Sequence, residues 1–85
     1  MEAELDALDG NAVGGLLFDV YGVEMTAATA TCASCGDARA LAEAVVYLQA
    51  PGTVLRCRHC GSVLLVVVER AGVACVDGRG VAVLT

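Results

Sequence analysis

The sequence predicts a small α+β fold in which one N-terminal helix packs on a small antiparallel β-sheet. Three observations support this class. Apolar residues repeat with a helical period only near the N-terminus, short apolar runs separated by turn residues fill the last third, and the chain has 85 residues. A chain of this length forms one hydrophobic core. We therefore expect a single domain over residues 1–85, with a helical segment at 1–25 and a β-rich region at 26–85.

The N-terminal helix is predicted from its end signals and from one apolar face. Asp9 is a suitable N-cap, because its carboxylate can accept hydrogen bonds from backbone N–H groups of the first turn. Gly22 is placed to end the helix in the left-handed conformation. The face between these ends has the spacing i, i+3, i+4, i+7, i+8 and comprises Val13, Leu16, Leu17, Val20 and Tyr21. We expect this face to lie on the sheet.

Residues 39–49 support two interpretations. Asp37 followed by an alanine-rich stretch is typical of a capped helix. The same stretch can alternate its side chains as a strand does, and a turn signal at residues 50–53 follows it. We favour the strand, because a hairpin would return Cys57 to the vicinity of Cys32.

The last third predicts three strands, at residues 62–70, 73–77 and 81–84, separated by turns at 71–72 and 78–80. The aliphatic run 63–68 does not alternate with polar residues, which is typical of a strand covered on both faces. The helix can cover one face, so something else must cover the other.

Two C-x2-C pairs carry the chemistry of this sequence, with 21 residues between them. Two residues between cysteines let a tight turn direct both thiolates at one ion. A glycine follows each pair, at Gly36 and Gly61, where a positive φ would turn backbone N–H groups towards the sulfurs. The predicted metal ligands are Cys32, Cys35, Cys57 and Cys60.

Four protein thiolates complete a tetrahedron, so we expect one structural Zn²⁺ per chain and no open position for a substrate. Iron is the alternative ion, because rubredoxin-type sites use the same doubled C-x2-C-G pattern. Rubredoxins are typically rich in aromatic residues and have proline in the second knuckle, whereas this chain is 4% aromatic and has Arg58 there. The acidic N-terminus is unlike a signal peptide, which favours the cytoplasm and disfavours disulfides.

The two cysteine knuckles resemble those of a zinc ribbon. More narrowly, the chain resembles a family of short, functionally uncharacterised actinobacterial zinc-ribbon proteins, a domain of unknown function. The stretches that carry this resemblance are the two knuckles, residues 8–12, 22–26 and 50–57, and the Arg79-Gly80 turn. The resemblance implies a zinc-ribbon fold and a metal held by the four cysteines, and it implies no particular activity.

Composition narrows the function classes. The net charge is −5 and the chain has no lysine, which argues against a general binder of nucleic-acid phosphates. No apolar run approaches the length of a membrane span, and no catalytic constellation or small-molecule site stands out. We expect a non-catalytic protein-interaction or accessory module, with a protein partner or as a homodimer. The alternatives are a nucleic-acid-binding zinc ribbon linked to transcription, using Arg56, Arg58 and Arg79, and a rubredoxin-like iron carrier serving an oxidoreductase.

Three single residues remain to be placed. Cys75, in a valine-rich strand, is expected to be a small buried hydrophobe rather than a ligand. His59 lies inside the second knuckle and is expected to be an exposed imidazole beside the thiolates. Phe18 falls off the apolar helix face, where it is either a flank of the core or an exposed anchor for a partner.

Overall fold

The structure, a computed structural model, describes residues 7–49 and 52–85. Within them lie eight strands, one α-helix and two 3-10 helices. In chain order these are β1 (Ala7–Asp9), a first 3-10 helix (Gly10–Val13), α1 (Gly14–Tyr21), β2 (Thr29–Cys32), β3 (Ala38–Ala40), a second 3-10 helix (Leu41–Glu43), β4 (Val45–Gln49), β5 (Gly52–Arg56), β6 (Val63–Arg70), β7 (Val73–Asp77) and β8 (Val81–Leu84).

The strands form two sheets, and every strand pair is antiparallel. The larger sheet has the order β1-β4-β5-β6-β7, and the smaller one has the order β3-β2-β8. The predicted α+β class is confirmed, with the strands divided between two sheets. The strands predicted in the last third are β6, β7 and β8, and β8 leaves its sequence neighbours to pair with β2.

The N-terminal helical segment has the predicted end signals. Asp9 Oδ1 accepts a hydrogen bond from the Asn11 N–H at 3.1 Å, but it caps the first 3-10 helix, and α1 begins one turn later. Gly22 ends α1 with a φ of 78°, and its N–H donates to the Phe18 carbonyl at 2.7 Å. A Cβ on Gly10 would lie 1.8 Å from the Leu41 carbonyl oxygen, so glycine lets the two 3-10 helices pack backbone to backbone.

Residues 39–49 divide into three parts instead of forming one element. β3 belongs to the smaller sheet, Leu41–Glu43 form a 3-10 turn, and β4 begins at Val45 in the larger sheet. The strand prediction is therefore confirmed for Val45–Gln49 and wrong for residues 41–44, where the buried Leu41 marks the crossing between sheets. The predicted hairpin is present, since Gln49 pairs with Gly52; residues 50 and 51 of its turn lie outside the described residues.

The core lies between α1 and one face of the larger sheet. Val46, Leu55 and Leu65 are cross-strand neighbours on this face and are 0–1% exposed. Val13 and Leu17 of the helical segment belong to the same buried cluster. The predicted apolar helix face thus covers this side of the sheet.

The opposite face of the larger sheet is here called the valine face. Strand alternation and register assign seven apolar residues to it, none of them buried. They are Val45, Tyr47, Val54, Val66, Val68, Val73 and Cys75. The sequence predicts cover on both faces of β6. Within the described residues, the helix covers one face, and no element buries the valine face.

Candidate metal centre

Each C-x2-C pair lies in the turn of a β-hairpin. Knuckle 1, defined as residues 32–37, joins β2 to β3, and knuckle 2, defined as residues 57–62, joins β5 to β6. The first hairpin belongs to the smaller sheet and the second to the larger one. A cluster of all four cysteines therefore links the two sheets.

The two knuckles have the same backbone hydrogen bonds. The Gly36 N–H donates to the Cys32 carbonyl at 2.9 Å, and the Gly61 N–H donates to the Cys57 carbonyl at 2.8 Å. Both glycines have the positive φ that the sequence predicts, 79° and 82°. Because L side chains rarely adopt this conformation, glycine at these positions lets each turn close.

The residue after each glycine directs its backbone N–H at the second sulfur of the pair. Asp37 donates to Cys35, and Ser62 donates to Cys60 through both its N–H and its hydroxyl. These two donors are not among the residues that the sequence predicts for the site. Their shared position, immediately after C-x2-C-G, is the signal that could have found them.

The sulfurs form a compact cluster. Cys32 Sγ lies 3.7 Å from Cys60 Sγ, Cys35 Sγ lies 3.8 Å from Cys57 Sγ, and all four sulfurs lie within 4.8 Å of one another. A tetrahedral ion with metal–sulfur bonds near 2.3 Å requires sulfurs about 3.8 Å apart. All four cysteines are free thiols. The cluster is positioned to hold one metal ion with four-coordinate geometry.

The centre has a buried side and an exposed side. Cys32 and Cys57, the first cysteine of each knuckle, are 2% and 5% exposed and belong to the hydrophobic core. Cys35 and Cys60 are exposed. Each short sulfur–sulfur contact joins a buried cysteine of one knuckle to an exposed cysteine of the other. Each knuckle therefore supplies one buried and one exposed sulfur to the cluster.

Without an ion, the exposed thiols differ widely in acidity. Hydrogen bonds from the hydroxyl and backbone N–H of Ser62 lower the pKa of Cys60 to about 6. The Asp37 N–H acts in the same direction on Cys35, but burial and the neighbouring cysteines outweigh it and raise the pKa of Cys35 to about 12. Several thiolates in one place repel one another, so an ion that binds must displace protons from the cluster.

The arginines proposed for nucleic-acid contact all have protein partners. Arg56 Nη1 donates to the Gly61 carbonyl at 2.8 Å, and its guanidinium lies 5.9 Å from the centroid of the Tyr47 ring. Arg58 Nε donates to the Glu43 carbonyl at 2.7 Å, which ties knuckle 2 to the second 3-10 helix. These two side chains therefore brace the centre.

Arg79 lies in the turn between β7 and β8 and is 91% exposed in its side chain. Its guanidinium pairs with the Asp77 carboxylate at 2.7 Å. This hydrogen-bonded cation lowers the pKa of Asp77 to about 2. His59 is exposed within knuckle 2, as predicted, and does not belong to the sulfur cluster.

Gly80 connects the two knuckles through the backbone. Its carbonyl accepts a hydrogen bond from the N–H of Ala33, inside knuckle 1, at 2.9 Å. On its other side, a Cβ would lie 1.8 Å from the carbonyl oxygen of Val63, the first residue of β6 after knuckle 2. The sequence predicts Gly80 only as a turn residue, because nothing in its local sequence reveals this close approach.

Two of the singled-out residues are exposed. Cys75 is exposed on β7, so the expectation of a buried small hydrophobe is wrong. The reason is that β7 is the outermost strand of the larger sheet, which its local valine-rich sequence does not reveal. Phe18 is 52% exposed on α1, in agreement with its position off the apolar helix face.

Within the part of the chain that the structure describes, no helix is long and apolar enough to span a membrane. Comparison with curated proteins and comparison with solved structures each yielded no match. The family model that matches is that of a family of unknown function, DUF6510, and it covers residues 2–85. The match extends over both cysteine knuckles and all the described strands, so the chain belongs to the DUF6510 family.

Proposed function

We propose that this protein is a non-catalytic interaction module whose fold is organised around one structural zinc ion. The cluster of four thiols carries the metal part of the proposal, because its sulfur separations suit a tetrahedral ion. Four cysteine ligands leave no coordination position for a substrate or an activated water. Zinc is the ion that structural four-cysteine sites of this type most commonly hold.

The valine face supports the interaction part of the proposal. Its central residues, Val54, Val66 and Val68, are only partly buried, although the same strands bury Leu55, Leu65 and Val67 on the other side. A contiguous apolar surface that no element of the fold buries is typical of a binding surface. Phe18, Val23 and Val83 add further exposed apolar side chains. A module of this kind acts through contacts with another chain.

Binding to nucleic acid is less well supported than binding to protein. Arg56, Arg58 and Arg79 already contact carbonyl or carboxylate oxygens. The chain has a net charge of −5, and four thiolates with one divalent ion would make it more negative. Phosphate binding depends on free cations on one face.

Elemental analysis of the purified protein, together with its visible spectrum, tests the metal assignment. We expect one zinc per chain and no visible absorbance. Cys57→Ser should lose most of the metal, because it removes a buried ligand, whereas the matched variant Cys75→Ser should keep one ion per chain. One iron per chain with a thiolate charge-transfer band would replace this proposal with electron transfer. A protein that binds no metal would refute both.

A further inference from the structure

From Val73 to Val76, the free edge of β7 has no charged residue, proline or bulge to protect it. Within the described residues β7 pairs only with β6, over five regular residue pairs without a bulge. Val73, Ala74, Cys75 and Val76 are all exposed, and none is charged. Natural edge strands usually carry lysine, proline or a bulge that prevents further pairing. This edge is therefore available to another extended strand.

The hairpin turn determines which backbone groups point away from β6. Ala71 and Gly72 both have positive φ, 54° and 80°, so β6 and β7 are joined by a two-residue turn of type I′. The residues that flank such a turn, Arg70 and Val73, form a hydrogen-bonded pair. Along an antiparallel ladder, hydrogen-bonded pairs alternate with non-hydrogen-bonded pairs, whose backbone groups point away from the partner strand. The N–H and C=O groups of Ala74 and Val76 therefore point to the free side.

These groups are arranged symmetrically about Cys75. In an antiparallel pair of two β7 strands, Ala74 of one copy lies opposite Val76 of the other when the two-fold axis passes beside Cys75. The N–H and C=O groups of Ala74 and Val76 in each copy then all form hydrogen bonds with β7 of the other copy. An axis beside Ala74 would place Val76 opposite Gly72, and an axis beside Val76 would place Ala74 opposite Gly78. Both glycines lie outside β7.

The geometry points to a homodimer in which the β7 edges of two copies pair antiparallel about Cys75. This inference rests on the proposed interaction function and names a second copy of the chain as the partner, bound at the β7 edge and not on the valine face. Val73 then lies opposite Asp77 of the second copy, so no like charges oppose each other across the new ladder. The result is one ten-stranded sheet, in which the valine faces of the two copies become continuous.

The pairing also places the two Cys75 residues opposite each other on the same face. They form a non-hydrogen-bonded pair, for which Cα atoms lie about 4.5 Å apart. Side chains at such positions interact directly, and like charges there destabilise the pair. Since Cys75 is exposed in the single chain, its substitution leaves the core unchanged.

Two variants that introduce opposite charges at Cys75 test the dimer. Light scattering of the metal-loaded wild type should give twice the chain mass of 8.6 kDa. Cys75→Lys and Cys75→Glu should each give 8.6 kDa, and their equimolar mixture should return to twice that mass. The matched controls are Val83→Lys and Val83→Glu on β8, an edge strand of the smaller sheet, which should stay dimeric.

A second variant removes a backbone donor without adding charge. The Ala74 N–H points away from β6, so Ala74→Pro should keep the hairpin and yield monomers. Metal content and circular dichroism of each variant identify misfolded samples. A wild type that binds one metal ion yet is monomeric would overturn the dimer and leave the metal proposal standing. A dimer that persists in all three variants would also overturn it, while a dimer without metal would count against the metal proposal alone.

Discussion

At the scale of single residues, the metal centre depends on one glycine outside the cysteine motifs. Gly80 lies between the backbone of Ala33 in knuckle 1 and that of Val63 beside knuckle 2. A Cβ there would meet only backbone atoms, at 1.8 to 2.8 Å. Backbone cannot rotate away as a flexible side chain can, so any substitution must move one knuckle relative to the other.

We therefore expect Gly80→Ala to destabilise the metal-loaded protein by at least about 2 kcal/mol, in the range of severe overpacking. Thermal denaturation followed by circular dichroism would measure the change. Gly15→Ala is the matched control, because a Cβ on Gly15 has no neighbour within 4 Å and alanine favours the helix by up to about 1 kcal/mol. Equal stabilities of the two variants would show that the close approach at Gly80 is relieved at no cost.

At the scale of secondary-structure elements, local signals predict the helix end and the hairpins. Gly22 ends α1, and Ala71-Gly72 join β6 to β7. Both turns use positive φ, and a residue's preference for that conformation is a local property that the sequence shows. The division into two sheets is not predictable in this way. Whether β8 pairs with β7 or with β2 depends on contacts distant in sequence, and so does the crossing at residues 41–44.

In the candidate metal centre too, local features are predictable from the sequence, and features that depend on distant contacts are not. The spacing of the cysteines and the glycines after them predicts two knuckles with positive φ, and both are present. The contact of Gly80 with both knuckles and the exposure of Cys75 arise from the arrangement of strands. A pattern within a few residues cannot encode which strand becomes an edge.

The β6–β7 turn permits a test at this scale. Ala71 is the only residue other than glycine that has positive φ among residues 7–49 and 52–85. A non-glycine residue in this conformation costs about 1 to 2 kcal/mol, and asparagine tolerates it better than alanine. We expect Ala71→Asn to raise the free energy of unfolding by up to about 1 kcal/mol, as measured by urea denaturation. Gly72→Ala should lower it by a similar amount; a destabilising Ala71→Asn would contradict the assigned turn.

At the scale of the whole molecule, the candidate metal centre joins the two sheets. Knuckle 1 belongs to the smaller sheet and knuckle 2 to the larger one, while Cys32 and Cys57 complete the hydrophobic core. A globular chain of 85 residues has a typical stability of about 4 to 13 kcal/mol. Structural zinc sites bind with about 10 to 16 kcal/mol near pH 7. A zinc ion bound as proposed would therefore contribute as much free energy as the whole fold retains.

Removal of the metal should consequently unfold both sheets together. We expect a chelator, with a thiol reductant present to prevent disulfide formation, to abolish the β-sheet signal in far-ultraviolet circular dichroism in one transition. Re-addition of zinc should restore it. Acid should act in the same direction, because protons compete with the ion for the thiolates. Cys75→Ser should respond as the wild type does, since this thiol lies outside the sulfur cluster. Retention of the larger sheet after complete metal removal would show that its core of Val46, Leu55 and Leu65 is sufficient without the centre.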